Sequence, residues 1–131
     1  MKKIISLLSL LGILLSCDPA AVIEASIINE TNQNLTIVFI ATDTSENLTL
    51  TVNANSKALF QDLFDIGSTY LEPNLSGYYT VQILDSSDNV IKEYLPDDEG
   101  ENIFDVGSWK TIEAEKRNFI YEFVITDQDL Q

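Results

Sequence analysis

The chain has no histidine and a single cysteine, Cys17. The first absence removes the commonest general base, the commonest zinc ligand and any Ser-His-Asp constellation together. The second rules out a disulfide within one chain, whatever the compartment. Cations are scarce as well: seven Lys and Arg stand against 21 Asp and Glu, for a formal net charge of −14. Lys and Arg lead phosphate recognition, so nucleic acid is not an expected partner. The five glycines form no Walker or dinucleotide phosphate loop. No interior stretch keeps a helical period for three turns, and only one long apolar run exists.

That run is Ile4–Leu15, twelve residues behind Lys2-Lys3 and interrupted only by Ser6, Ser9 and Gly12. Twelve helical residues rise about 18 Å, short of a hydrocarbon core of about 30 Å. With its positive start, the segment reads as a signal peptide rather than a span or a buried helix. At its end stand Leu14, Leu15, Ser16 and Cys17, which resemble a bacterial lipobox. The resemblance implies that signal peptidase recognises Leu14, Leu15 and Ser16, that the chain is cut before Cys17, and that Cys17 carries acyl chains such as palmitate. Two or more such chains anchor a protein stably, whereas one holds it only marginally. The expected layout is a signal peptide at 1–16, an acylated Cys and short tether at 17–21, and one domain at 22–131. Losing Lys2 and Lys3 with the signal takes the net charge from −14 to −16.

From Val22 onward, apolar and polar residues alternate between short breaks rich in Asn, Asp, Ser and Gly, which predicts an antiparallel all-β domain. Eight strands are expected, near Val22–Ile28, Leu35–Thr42, Leu48–Ala54, Ala58–Phe64, Tyr78–Leu84, Val90–Leu95, Ser108–Ala114 and Asn118–Thr126. Leu35–Thr42 is apolar on both faces and should be central. Tyr78–Leu84 and Val90–Leu95 should form a hairpin across Asp85–Asn89, and a helical turn is expected near Asp62 or Glu101. Seven or eight strands with this spacing suit a two-sheet β-sandwich. An Ig-like topology is compatible, although the Cys–Trp–Cys landmark is missing.

Several patterns bear on function. Phe64-Asp65-Ile66-Gly67-Ser68 recurs as Phe104-Asp105-Val106-Gly107-Ser108. In each, the Phe and the aliphatic residue suit the core, the Asp suits a turn cap and the Gly a left-handed conformation. Two convergent loops and a duplicated unit are the alternatives, and Asp65, Gly67, Asp105 and Gly107 are the interaction-loop candidates. Asp97, Asp98, Glu99 and Glu101 crowd hard oxygen ligands around Gly100, but lack the spacing of a calcium loop, so a solvated acidic loop is expected and no metal. Asn29, Asn34, Asn47 and Asn74 open Asn-x-Ser/Thr triplets, which in a bacterium read as turn and strand-entrance chemistry. Trp109, Tyr70, Tyr78, Tyr79, Tyr94 and Tyr121 lie where core positions and cross-strand pairs are expected rather than a ligand patch.

From Cys17 onward the chain resembles the small uncharacterised lipoproteins of the Bacteroidota. The resemblance rests on the short tether, the strand Val81–Asp85 and the aromatic strand Tyr121-Glu122-Phe123-Val124-Ile125-Thr126-Asp127. It implies an envelope protein, with the outer membrane favoured over the inner and either face open. Asp18-Pro19-Ala20-Ala21 departs from the acidic run that favours surface export in that group. The expected function is a membrane-anchored, non-enzymatic binding module with no cofactor beyond the covalent lipid on Cys17. Its partners would be the bilayer and an envelope or basic protein. One alternative is an acidic inhibitor of a cationic envelope enzyme such as lysozyme. The other, a small carbohydrate-active enzyme, would need a cleft holding two carboxylates about 5–9 Å apart.

Overall fold

Alternation along Ala20–Asn29 makes the first strand, β1, and sends Ala21, Ile23, Ala25 and Ile27 to one face, where all four are buried. The computed structural model describes residues 17–131, so the signal-peptide reading and Leu14, Leu15 and Ser16 lie outside the described residues. Seven further strands follow: β2 (Leu35–Ala41), β3 (Leu48–Val52), β4 (Ser56–Ile66), β5 (Tyr78–Leu84), β6 (Val90–Tyr94), β7 (Lys110–Glu115) and β8 (Asn118–Ile125). They pair into two four-stranded sheets of order β4-β1-β8-β7 and β3-β2-β5-β6, which face each other as a β-sandwich. β2 is an inner strand, as its two apolar faces require. The hairpin of β5 and β6 also forms as expected. An immunoglobulin constant domain groups its strands as ABED and CFG, and neither sheet here has that order.

Three features differ from the expectation. β1 and β8 run parallel, from Val22 opposite Asn118 to Asn29 opposite Ile125, so the first sheet is mixed rather than antiparallel. Alternation is the same in both senses of pairing and does not distinguish them. Second, β4 is longer than Ala58–Phe64, and its irregular pattern is a bulge: Gln61 sits opposite Ala25 and Leu59 opposite Ser26, leaving Phe60 as the extra residue. Third, Asp62 lies within β4 and Glu101 in an irregular loop; the short 3-10 turns are at Thr44–Glu46 and Val106–Ser108. Asp43 and Asp105 cap them, each accepting a hydrogen bond from the backbone N–H two residues on.

The core is built from alternate residues of both sheets, among them Leu35, Ile37, Phe39, Val81 and Ile83 on one side and Phe119, Tyr121, Phe123 and Ile125 on the other. Phe60 stacks on Phe39 with centroids 4.5 Å apart, bridging the sheets. Trp109 continues the cluster, 6.2 Å from Phe60 and 5.5 Å from Phe123. Aromatic pairs of this kind add about 0.5–1.5 kcal/mol each beyond their buried area. Trp109 ends the long crossover from β6 to β7, and its Nε1 donates to the Ile103 carbonyl at 2.8 Å. Ile103 and Trp109 thereby close the flank between two edge strands, β6 and β7.

Candidate functional site

Two poles organise the sandwich. At one, β1 starts and β4 ends, with Ala20 opposite Ile66. The Val22 amide donates to the Arg117 carbonyl at 2.9 Å, which brings the β7–β8 turn to the same pole. Cys17 is exposed there, with Asp18 and Pro19 between it and β1. The Pro19 carbonyl already accepts from the Gly67 amide, so the chain is pinned to the end of β4 before the strand begins. Gly67 meets this demand at φ 98°, a conformation that disfavours any side chain. Within residues 17–21, only Asp18 separates Cys17 from the pinned Pro19.

The Phe64–Ser68 motif forms this pole, and half of its expected design holds. Gly67 is left-handed, and Asp65 accepts from the Ser68 hydroxyl. Phe64 and Ile66, however, are 63% and 64% exposed instead of anchored in the core. Register explains this: Phe64 pairs with Val22 and Ile66 with Ala20, on the face opposite Ile23 and Ala21. In the second copy Phe104 and Val106 are half-buried against the core. Asp105 Oδ1 accepts from the Gly107 amide at 2.9 Å, and Gly107 is not among the positive-φ glycines. One motif ends a strand and the other makes a 3-10 turn, so the shared pentapeptide has two different backbone conformations. Both border the 67–77 segment: Gly67 opens it, and Phe104 lines a shallow depression with Glu72, Pro73, Leu75 and Tyr78.

The segment itself is fastened to the core. Tyr121 is fully buried, and its hydroxyl donates to the Leu71 carbonyl at 2.9 Å. The same hydroxyl also lies within donating distance of the Tyr70 hydroxyl, at 3.0 Å. Burial first, then this bond, pushes the Tyr121 phenol well above the ordinary tyrosine range. Burial does the same to Tyr94. Trp109, Tyr94 and Tyr121 are therefore core residues and Tyr78 packs on Phe39, whereas Tyr70 and Tyr79 are each 53% exposed. The aromatics form no single patch.

The acidic loop is bound up in its own backbone. Asp98 Oδ2 accepts from the Leu95 amide at 2.8 Å, and buried Asn102 donates to the Leu95 and Asp98 carbonyls. Among the described residues, no three His, Cys, Asp or Glu side chains converge as metal ligands, Asp97, Asp98, Glu99 and Glu101 included. Asp85 likewise serves a turn, accepting from Asn89 and Ser87, and those hydrogen bonds hold its carboxyl below the usual range. Asp43 is lowered in the same way by the Ser45 hydroxyl and amide.

The opposite pole depends on a residue whose role the sequence did not reveal. Asn29 is 0% exposed. Its Nδ2 reaches the carbonyls of Gln33, Val52 and Asn53 at 2.8–3.1 Å, and its Oδ1 accepts from the Thr31 amide and hydroxyl. Asn34 and Asn47 accept from the Ala54 and Ala41 amides, both at 2.9 Å. Asn74 accepts from the amide and hydroxyl of Ser76. All four triplets thus do structural work at turns and strand entrances. Compared with protein-family models, curated proteins and solved structures, the chain matches none.

Proposed function

We propose that the protein is a lipid-anchored lipoprotein of the bacterial envelope, with Cys17 as the acylated residue and the sandwich as a non-enzymatic binding module. The observation that carries this reading is the position of Cys17, exposed at one pole and a single residue ahead of the point where the chain is pinned by Gly67. An acyl group there needs no rearrangement of the domain. The outer membrane is the favoured location. The loops after Phe64 and Phe104 flank the 67–77 segment and are the favoured contact surface for an envelope protein. The groups whose protonation the fold shifts support the non-enzymatic reading, since Asp43 and Asp85 are spent on turns and Tyr121 on holding Leu71.

Fractionation with protease accessibility on intact cells tests the anchor. Wild type should enter the membrane fraction, and Cys17→Ala should keep its signal segment and lose lipid. Identical behaviour and mass chemistry in the two proteins would end the reading. A cross-linked envelope that yields no specific partner would remove the binding role while leaving the anchor intact.

A second reading, inhibition of a cationic envelope enzyme such as lysozyme, draws support from the charge. Among the described residues the only ion pair is Lys110–Glu122, at 3.9 Å, so nearly all 21 acidic side chains add to the surface field without a cation beside them. Affinity for lysozyme that is weak even at low salt would exclude it.

A further inference from the structure

The outer face of the first sheet changes character along its length. Starting from the Cys17 pole, the first row is Ile66 beside Ala20 and the second is Phe64 beside Val22. On β1 and β4 carboxylates begin at the third row, with Asp62 beside Glu24, while β8 and β7 set Asn118 and Glu115 at the far end of the second row. Paired residues share a face, and two residues of strand advance about 7 Å, so the apolar rows of β1 and β4 form a band roughly that deep before charge appears on those two strands. Phe64 and Ile66 are among the most exposed large apolar side chains among the described residues, and they are adjacent on this face. Lys116 and Arg117 occupy the β7–β8 turn at the same pole, with Glu113 turned back to accept from the Arg117 amide. They are two of the five cations that follow Cys17.

We propose that this band is a membrane-seating surface, with Phe64 and Ile66 entering the lipid interface and Lys116 and Arg117 at headgroup level. The proposal rests on acylation of Cys17. Three residues from Cys17 to Ala20 reach at most about 11 Å, and Ile66 lies across one strand pairing, about 5 Å further. An acyl chain on Cys17 therefore brings the bilayer to the apolar rows, whose depth matches the roughly 5–10 Å that interfacial apolar faces enter. On β1 and β4 the acidic residues begin where the interface ends, and Glu115 lies at the far edge of the sheet, beside Lys116. Anchor and band together fix the tilt of the domain and turn the Asn29 pole away from the membrane.

The test uses the full chain, expressed with its signal, purified and reconstituted into vesicles of phosphatidylethanolamine and phosphatidylglycerol. A second cysteine is introduced at Ile66→Cys or Phe64→Cys, with Ser87→Cys at the opposite pole as control, and labelled with an environment-sensitive fluorophore. Flotation and the mass of wild type are read first. If wild type carries an unmodified thiol and does not float, the anchor reading fails and the seating surface with it. If it floats, labels at 64 and 66 should shift to the blue and be quenched several-fold more than the label at 87 by nitroxides at shallow lipid depth. Equal, water-like emission at all three positions in floating protein would overturn the seating surface alone.

Discussion

Replacing Asn29 with Ala should unfold the pole distant from Cys17 before it disturbs anything else. The side chain is fully buried, and its loss removes partners from the Val52 carbonyl and the Thr31 amide within the structure, and from Gln33 and Asn53 nearer its surface. A buried group left without a partner costs about 1–3 kcal/mol, while those nearer water recover most of their loss. Two such groups give a destabilisation of about 3 kcal/mol. For a domain of this size that lowers Tm by about 10–15 °C. Trp109 is the only tryptophan and is buried, so its fluorescence reports urea or thermal unfolding directly. Asn34→Ala is the comparison: it also removes an Asn-x-Thr triplet, but its one bond, to the Ala54 amide, is exposed, and it should cost under about 1 kcal/mol. Equal midpoints for the two variants would refute the assignment of Asn29 as a buried organiser.

Gly67→Ala should cost about 1–2 kcal/mol through its φ of 98° alone, since nothing lies within 4 Å of a built Cβ, whereas Gly77→Ala, equally unobstructed, should be near neutral in the same denaturant titration. Tyr94 and Tyr121 bind their protons more tightly folded than unfolded, so stability should be full below about pH 10 and fall as pH rises further; Tyr121→Phe with Tyr94→Phe should flatten that alkaline limb in thermal melts from pH 9 to 12. Asp85 is lowered, so its contribution is present above the ordinary carboxylate range and lost on acidification; Asp85→Asn should weaken the acid-side dependence measured between pH 5 and 2. Phe64→Ser with Ile66→Ser should leave the unfolding free energy of the detergent-solubilised protein, read by urea titration, within about 1 kcal/mol, because both side chains are already exposed.

What could be read in advance was whatever alternation encodes. Leu35, Ile37, Phe39 and Ala41 are all buried, and the two-faced strand they belong to is internal, because side-chain direction in a strand follows directly from position parity. Parity carries no information about which strand lies alongside or in which sense, so the parallel β1–β8 pair was invisible. The same limit misplaced Phe64: its large apolar side chain suggested the core, and the register with β1, which parity within one strand does not reveal, decides otherwise. The bulge that turns Phe60 onto Phe39 broke the parity of Ala58–Phe64 and made that strand look short. At the site, Gly67 and Asp105 took the expected turn roles because those depend on neighbours in sequence. The turn of Asn29 with Thr31 was legible for the same reason, but its bonds to the Val52 and Asn53 carbonyls, 23 and 24 residues away, were not.

The pairing of β1 with β8 puts the earliest and latest strands of the domain side by side in the middle of one sheet. A chain halted anywhere before residue 118 lacks Phe119, Tyr121, Phe123 and Ile125, the row that faces Phe39, Ile37 and Val81 across the sandwich. Such a chain lacks four residues of the core cluster and leaves β1 and β7 with open edges on each side of the gap. The contacts that close it span nearly the whole domain, so folding waits on the last strand and is slow by topology. This order keeps the domain loose until β8 is available to pair with β1, and only then lets it shut.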